Sequence, residues 1–238
     1  MPAGLQVLNN GSFVQIDATY KNYCLVQQGG ILLLSGNSET DKASYPYNLV
    51  TVYGCTNPVL AMKAPGPIRV SRTNLGGGTF QFYMTVDYNW SAPGAGGQPT
   101  VPYYVYDSQP TSAAAHGAGL QVFGADGQPV FDSERPYMKV IDALDLTASF
   151  PYPNRTETTY NYSGRNVATI TCQQAYKVTL DAVGGADGFT LSTMCPVVKS
   201  SNPGAVVMVD GAGYWIIGGA TSSTQSRAYI LVLDVAGL

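Results

Sequence analysis

The sequence predicts an all-β protein, built from two tandem β-sandwich (or barrel-like) domains that are related by internal duplication. Three observations lead to this prediction. The segment Ala3–Val7 (AGLQV) returns as Ala118–Val122, 115 residues later. Short segments rich in Val, Ile, Thr, Tyr and Phe alternate with turn signals supplied by 27 Gly and 15 Pro. No segment holds a 3.6-residue apolar period over three turns, which disfavours long amphipathic helices.

The similarity between the two copies continues beyond the pentapeptide. At the same spacing the matched residues are Leu8 and Phe123, Ile16-Asp17 and Phe131-Asp132, and Leu25-Val26 and Val140-Ile141. Each copy carries a turn signal between its first two strands, Asn10-Gly11 in one and Asp126-Gly127 in the other. Because these turns are one residue out of step, we expect the two hairpins to differ by a bulge.

The copies also end alike, which sets the predicted boundaries. Tyr103–Asp107 resembles Ile230–Asp234, now 127 residues apart. We therefore predict a first domain at 1–107, a linker at 108–117 and a second domain at 118–238. The change of spacing predicts insertions, one around Phe150–Arg165 in the second copy and a longer loop at Asp87–Pro102 in the first.

Period-two alternation predicts the strands. In Thr79–Val86 the residues Phe80, Phe82 and Met84 fall on one face, which indicates a half-buried strand. Further strand candidates are Ile31–Leu34, Leu49–Tyr53, Ile68–Ser71, Tyr103–Tyr106, Ala168–Cys172, Lys177–Leu180, Val206–Val209, Tyr214–Ile217 and Tyr229–Leu233. Met138–Leu146 is the one segment for which we predict a short helix, and Trp215 is expected in the core.

Composition restricts the classes of partner. Hydrophobic residues make up 45 % of the chain and charged residues only 11 %, against roughly 25 % in typical globular domains. Such a surface of Ser, Thr, Asn, Gln, Gly and Tyr suits lateral protein contacts. The net charge of −3 and the absence of Lys/Arg runs argue against nucleic acid as a partner. No secretory signal is recognised at the start, and apolar runs such as Ile31–Leu34 are too short to span a bilayer.

The four cysteines fall two per copy, with Cys24 and Cys55 in the first and Cys172 and Cys195 in the second. Cys55 and Cys195 are interpreted as equivalent, because each is followed by Pro-Val and then by Pro-Gly. One disulfide per domain is conceivable, but free buried thiols are the preferred interpretation for a protein made in the cytoplasm. The spacings match no zinc motif, so no metal is expected.

Catalysis is poorly supported, so we expect neither an enzyme nor a cofactor. The single histidine, His116, lies in the predicted linker. A Ser-His-Asp or Cys-His catalytic arrangement would have to use this residue, which is not expected to lie in a folded site. The glycines at 94–97 and 211–213 are interpreted as hairpin tips. Paired carboxylates of a glycosidase are the remaining option. The most visible acids are Asp17, Asp107, Asp132 and Asp234, and turn or cap roles explain them better.

Tyrosine is the strongest remaining signal, with 17 Tyr against 7 Phe and 2 Trp. Tyr combines a flat apolar face with a hydrogen-bonding tip, which favours protein interfaces and sugar binding. Two clusters in the inserted loops are therefore candidate partner- or glycan-binding residues: Tyr88, Asn89 and Trp90, and Tyr152, Asn154, Tyr160, Asn161 and Tyr162. The alternative is that these rings pack onto their own sandwich.

The opening Met1–Val7 resembles the start of an uncharacterised family of small proteins encoded by tailed bacteriophages. Its members continue with an aromatic residue, a Gly turn and an apolar-apolar-Asp step. The second copy, from Gly119 through Gly127 to Asp132, matches this pattern better than the first, which departs at Leu8 and Gln15. The resemblance covers about the first 25 residues of each repeat and assigns no functional residue.

The resemblance implies a virion structural protein of the distal tail, at the tail tip, in the baseplate or associated with a fibre, that is assembled in the host cytoplasm. The implied partners are other virion proteins, further copies of the chain, and a glycan or protein of the host surface. Two alternatives stay open. One is a capsid decoration or head-fibre protein, and the other is a module that binds or degrades host glycans.

Overall fold

The chain folds into β-strands joined by turns. The computed structural model describes residues 6–8, 14–17, 22–32, 48–86, 100–108, 119–123, 129–150, 156–181, 188–199, 201–217 and 223–238. Within these ranges every regular element is a strand, so the predicted all-β class is confirmed.

Among the described residues, eight strands lie in the first half and ten in the second. The first eight are β1 (Gln6–Leu8), β2 (Val14–Asp17), β3 (Cys24–Leu32), β4 (Asn48–Val52), β5 (Val59–Met62), β6 (Ile68–Gly76), β7 (Thr79–Val86) and β8 (Thr100–Asp107). The others are β9 (Gln121–Phe123), β10 (Pro129–Asp132), β11 (Val140–Thr147), β12 (Thr156–Asn161), β13 (Val167–Gln173), β14 (Tyr176–Asp181), β15 (Gly188–Val198), β16 (Ala205–Ile217), β17 (Ser223–Gln225) and β18 (Arg227–Asp234).

Alternation identifies strands correctly where a strand has one buried face. Phe80, Phe82 and Met84 of β7 are 4 %, 2 % and 1 % exposed, as predicted. The helix predicted at Met138–Leu146 is wrong, because this segment forms most of β11 and pairs antiparallel with β18. Tertiary pairing decides its conformation, and the local pattern is too weak to do so.

The strands form three larger sheets and two hairpins. The six-stranded sheet has the order β11-β18-β13-β5-β8-β3, so that each half of the chain contributes three neighbouring strands. A three-stranded sheet has the order β4-β7-β6, and a five-stranded sheet has the order β12-β16-β15-β14-β17. The hairpins are β1-β2 and β9-β10.

The opening hairpins of the two halves have the same register. Gln6 is opposite Asp17 in the first, and Gln121 is opposite Asp132 in the second, 115 residues later. Each carries a bulge, at Gln15 and at Val130, which are also 115 residues apart. The expectation that the hairpins differ by a bulge is therefore wrong. The turn residues themselves lie outside the described ranges.

The same agreement holds at the outer strands of the six-stranded sheet. Leu25 is opposite Tyr106, and a bulge follows at Val26. In the second half Val140 is opposite Leu233, and the bulge follows at Ile141. These positions are separated by the spacings of 115 and 127 that the sequence comparison finds.

Pairing in the smaller sheets corrects two interpretations of the sequence. Strand β12 pairs with β16 as β4 pairs with β7, so the predicted insertion at Phe150–Arg165 contains a strand that has a first-half counterpart. Among the described strands of the second half, β14 and β17 have no counterpart among those of the first.

Gly211–Gly213 is not a hairpin tip. It lies inside β16, and Gly211 is the extra residue of a bulge, a position that tolerates glycine.

Three apolar clusters hold the sheets together. The first-half cluster joins β4, β6 and β7 to one face of β5 and β8, through side chains such as Phe82, Met84 and Leu60. The second-half cluster joins β15 and β16 to the same sheet, through residues such as Met208 and Ile230. The shared cluster lies on the opposite face and combines residues from both halves: Ala61, Tyr104, Tyr106, Ala168, Ile170, Leu233 and Val235.

The two halves meet at β5 and β13, where Met62 is opposite Thr169. The Ala64 carbonyl accepts the Val198 amide at 2.7 Å, and Lys63 Nζ donates to Asn166 Oδ1 at 2.6 Å. The predicted division at 1–107 and 118–238 stays a prediction. Of the linker, Ser108 is described, whereas His116 lies outside the described ranges, as do the glycines at 94–97.

Gly204 marks a close approach between two turns of the second half. An added Cβ would lie 2.5 Å from the Tyr162 carbonyl oxygen and 3.1 Å from that of Arg165. Because these are backbone atoms, Gly204→Ala is expected to lower the free energy of unfolding by about 1–3 kcal/mol. In Gly119→Ala the nearest atom is the exposed Ser133 hydroxyl, whose displacement costs only its hydrogen bond with the Leu120 amide, so this control should destabilise less than Gly204→Ala. Urea denaturation measures both, and equal effects of the two variants would contradict the assignment.

Candidate functional site

The predicted contact residues are described in part. Tyr88, Asn89, Trp90, Tyr152 and Asn154 lie outside the described ranges, as does the side chain of Trp215. Tyr160 and Asn161 end β12, and Tyr162 follows them in a turn that closes through the Arg165 amide and the Tyr162 carbonyl. The candidate site that can be built is therefore the end of β12 and its surroundings.

The two tyrosines of this turn contact their own sheet. Tyr160 and Tyr162 are half-buried against the second-half cluster, whereas Asn161 is exposed. The Tyr162 hydroxyl donates to Asp142 Oδ2 at 2.7 Å. Burial and the Asp142 carboxylate raise the pKa of Tyr162 above its ordinary value of 10.0, so the hydroxyl keeps its proton and remains a donor.

Asp142 connects this turn to the edge strand β11. Its second oxygen, Oδ1, accepts the backbone amide of Ala143 at 2.8 Å. The carboxylate thus holds a tyrosine hydroxyl on one side and an amide of the sheet edge on the other. The sequence analysis missed Asp142, because its role depends on residues 20 positions away.

Asp107 is an anchor for a neighbouring turn. Its carboxylate accepts the amides of Thr56 at 2.7 Å and Asn57 at 2.9 Å, together with that of Ser108 at 2.8 Å. It is completely buried. Three donated amides satisfy a buried carboxylate, so the predicted turn role of Asp107 is confirmed.

Asp132 and Asp234 also bind nearby backbone amides, and their predicted turn or cap roles are confirmed. Asp132 accepts the Glu134 amide at 3.0 Å, and Asp234 accepts the Ala236 amide at 3.1 Å and Arg165 Nη1 at 2.8 Å. Burial by itself raises the pKa of Asp234, but the Ala236 amide and the Arg165 guanidinium outweigh burial and lower it below 3.8. The side chain of Asp17 lies outside the described residues.

A further buried acid was not singled out from the sequence. Asp210 accepts the amide of Ser149 at 2.7 Å and its hydroxyl at 3.1 Å, and the amide of Phe150 at 3.3 Å. Phe150 has a φ of 52°, an uncommon backbone conformation for a bulky residue. The available signal is that Asp210 directly follows the apolar run Val206–Val209, where an acid needs buried donors.

All four cysteines are thiols, as the preferred interpretation predicts. Cys24, Cys55 and Cys195 are buried, but Cys172 is exposed, so the expectation of burial fails there. Burial and the Asp107 carboxylate raise the pKa of Cys55 to about 11, which leaves its thiol protonated at neutral pH. Cys55 precedes β5 whereas Cys195 lies within β15, and these strands have different pairing partners, so the predicted equivalence of the two is wrong.

The three-stranded sheet presents an outer face with a row of hydrogen bonds. Tyr83 donates its hydroxyl to Gln81 Oε1 at 2.7 Å, and Gln81 Nε2 donates to Thr51 Oγ1 at 3.4 Å. At the end of β4 the ring of Tyr53 is 72 % exposed, and Leu49 on the same strand is also exposed. An exposed ring beside ordered polar groups is a combination that binding surfaces use.

The described residues contain no group of three or more His, Cys, Asp or Glu side chains that could hold a metal ion. Nor does any helix among them have the length and apolar character needed to cross a membrane. No family model, curated protein or solved structure matches this chain.

Asp234 should make stability depend on pH in the acid range. Because its folded-state pKa lies below the ordinary 3.8, its contribution is present above pH 3.8 and is lost as pH falls through the lowered value. Asp234→Asn should therefore reduce the free energy of unfolding by about 1–2 kcal/mol at pH 7, since Arg165 is half-exposed and screened. The difference from wild type should shrink below pH 3.8.

The matched control is Asp145→Asn, which removes the exposed pair of Asp145 with Arg227. Such pairs contribute little, so this variant should behave like wild type at both pH values. Chemical denaturation between pH 7 and pH 2 measures both variants. An Asp234→Asn deficit that persists unchanged at low pH would show that the carboxylate charge is not its cause.

Proposed function

We propose that this chain is a structural protein of a bacteriophage particle, placed at the distal tail as part of the tail tip, the baseplate or a fibre. In this proposal it acts through contacts with other virion proteins, with further copies of itself, and with the host surface. The proposed role is in assembly and attachment, with no catalytic step.

The observation that carries the proposal is the repeated strand pairing of the two halves. The hairpins β1-β2 and β9-β10 share their register and bulge, and β3-β8 shares its bulge position with β11-β18. This agreement supports an origin by tandem duplication of one sandwich unit. The two units join by continuing a sheet through β5 and β13, which is a mode of growth suited to a building block.

The chemistry of the buried acids supports a structural role. Asp107, Asp132, Asp210 and Asp234 each accept backbone amides, so their charge holds turns in place. A chain in which only 11 % of the residues are charged has a weakly hydrated surface, which suits extensive protein contacts. Because Met1–Val7 resembles the start of a tailed-phage protein family, we place these contacts in a phage particle.

Electron microscopy of the phage particle tests the placement. An epitope tag after Leu238, which is exposed, gives antibodies access without disturbing a strand. We expect label at the distal end of the tail, and an antibody to the major capsid protein provides the control. Label on the capsid alone would replace the tail assignment by the decoration or head-fibre alternative. Label absent from purified particles, with tagged protein present in the lysate, would overturn the virion role.

Binding of a host glycan is a second candidate function, favoured by the outer face of β4-β7-β6. Tyr53 offers an exposed ring, and the row from Thr51 through Gln81 to Tyr83 offers fixed hydrogen-bonding groups. Sugars have apolar faces that stack on rings and hydroxyls that need such partners.

Incubation of the purified protein with host polysaccharide tests this candidate. Retention without cleavage, reduced at least roughly tenfold in Tyr53→Ala, would support a binding face there, since stacked rings carry about 1–3 kcal/mol. Tyr229→Ala, which removes an exposed tyrosine from β18, is the control. Unchanged retention in Tyr53→Ala would exclude this face, and cleavage of the polysaccharide would favour an enzyme.

A further inference from the structure

Strand β3 forms one outer edge of the six-stranded sheet, and β11 forms the other. Within the described residues the outer side of β3 is paired only at its start, where Cys24 forms an antiparallel bridge with Tyr137 and the Leu25 amide donates to the Pro136 carbonyl at 2.8 Å. No described strand pairs with the rest of that edge, Gln27 to Leu32, or with the outer side of β11. Gln28, Gly29 and Gly30 of β3 are exposed. Exposed edges present unpaired amide and carbonyl groups, which makes them templates for a further strand.

The direction of the backbone groups on β3 follows from its partner strand. Gly30 is opposite Pro102, whose carbonyl accepts the Lys63 amide on the side of β8 that faces away from β3. The backbone groups of Gly30 therefore point away from β8, and those of Gln28 and Leu32 do so by alternation. These residues direct their hydrogen-bonding groups to the outer edge.

The equivalent edge of the second half is closed to such pairing. The register places Ala143 at the position of Gln28, because Ala143 is opposite Leu231 as Gln28 is opposite Tyr104. The outward amide of Ala143 is already bound by Asp142 Oδ1 at 2.8 Å, and Tyr162 holds this carboxylate in place. Asp142 also gives this edge a negative charge, whereas the charge of Asp145 is paired with Arg227 of β18 at 3.4 Å. Inward or edge charges are a known protection against strand addition.

The first-half edge lacks this protection. Strand β3 is nine residues long and contains no charged residue, and it carries Gln27 and Gly30 where β11 has Asp142 and Asp145. The Tyr103 ring lies over Gly29, where an added Cβ would meet the Tyr103 hydroxyl oxygen at 2.9 Å. Glycines in a strand permit close approach of another backbone.

From this asymmetry we propose that two copies of this chain associate through β3, in an antiparallel pair that continues the six-stranded sheet into the partner copy. An uncharged edge pairs with itself without repulsion, whereas two copies of β11 would bring their two Asp142 carboxylates together. Pairing of β3 with β11 of another copy would have to break the bond between Asp142 and Ala143. The β3 edge therefore selects a second β3, and the pair closes as a two-fold dimer.

This inference rests on the proposed assembly function and names one of its surfaces. Sedimentation velocity of the purified full chain over a range of concentrations tests it. Because the contact of two strand edges is small, we expect a monomer–dimer equilibrium with a dissociation constant of roughly 10–100 µM. A chain that stays monomeric up to about 500 µM would overturn the β3 dimer. The position of the protein in the particle would be unaffected by that result.

Two variants and their matched controls locate the interface. Gln27→Asp gives β3 the acid of β11, which can bind the Gln28 amide and adds charge, and Gln28→Pro removes that outward amide. Each should weaken dimerisation at least about tenfold, since both variants remove an outward amide hydrogen bond from each strand and Gln27→Asp also places like charges across the pair. Gln27→Ala, which adds no acid, and Ala143→Pro, on the opposite edge, should stay within about twofold of wild type.

Amide hydrogen exchange gives an independent measurement and does not require the variants to fold. The amides of Gln28 and Gly30 should become more protected as protein concentration rises, whereas that of Ala143 should not change. A dimer that is insensitive to both Gln27→Asp and Gln28→Pro, or exchange at Gln28 and Gly30 that is independent of concentration, would place the contact elsewhere and overturn the proposal.

Discussion

The six-stranded sheet is apolar on both faces, and the arrangement of the other elements depends on this. In β18, Ile230 and Val232 face the second-half cluster, while Leu231 and Leu233 face the shared cluster. A sheet of this kind is stable only when both faces are removed from water. The smaller sheets cover one face. On the opposite face, Tyr23 and Met138 pack against the shared cluster. They belong to the segments that precede β3 and β11, and the Tyr23 carbonyl accepts the Met138 amide at 2.9 Å. Because the shared cluster contains residues from both halves of the chain, burial of this face holds the two halves together.

Close packing of turns against this sheet creates buried amides, and acids supply the acceptors. Asp107 and Asp234, which occupy equivalent positions in the two halves, bind different groups. Asp107 accepts two backbone amides from the turn before β5, whereas Asp234 binds the Arg165 guanidinium from the turn before β13. The halves thus keep one pattern of strand pairing while their polar contacts diverge. The edges differ in the same manner: Asp142 binds the outward Ala143 amide of β11, whereas on β3 only the start of the edge is covered, by the bridge between Cys24 and Tyr137.

Sequence reasoning succeeds where the signal is local. Alternation predicts β7 and the burial of Phe80, Phe82 and Met84, and the repeat predicts which residues open each half. It fails where a segment is short or its pairing is distant. The four residues of β5 are too few for the pattern to indicate a strand, and the pattern predicts a helix for β11, which pairs with a strand 80 or more residues away. The acids at Asp107, Asp132 and Asp234 were interpreted correctly as turn residues, but their partners, including Thr56 and Arg165, could not be identified.

The sequence by itself determined that the chain is all-β, that its two halves open with the same five residues, and that Asp107, Asp132 and Asp234 bind turns. These properties follow from period-two alternation and from residue types that act on their neighbours in the chain. Only the tertiary structure decided that the segments share one sheet, that Tyr162 turns toward Asp142, and that β3 and β11 become the edges. The physical reason is that strand order and side-chain partners depend on contacts between residues far apart in sequence. Such contacts are set by the need to bury both faces of the sheet and to satisfy each buried amide.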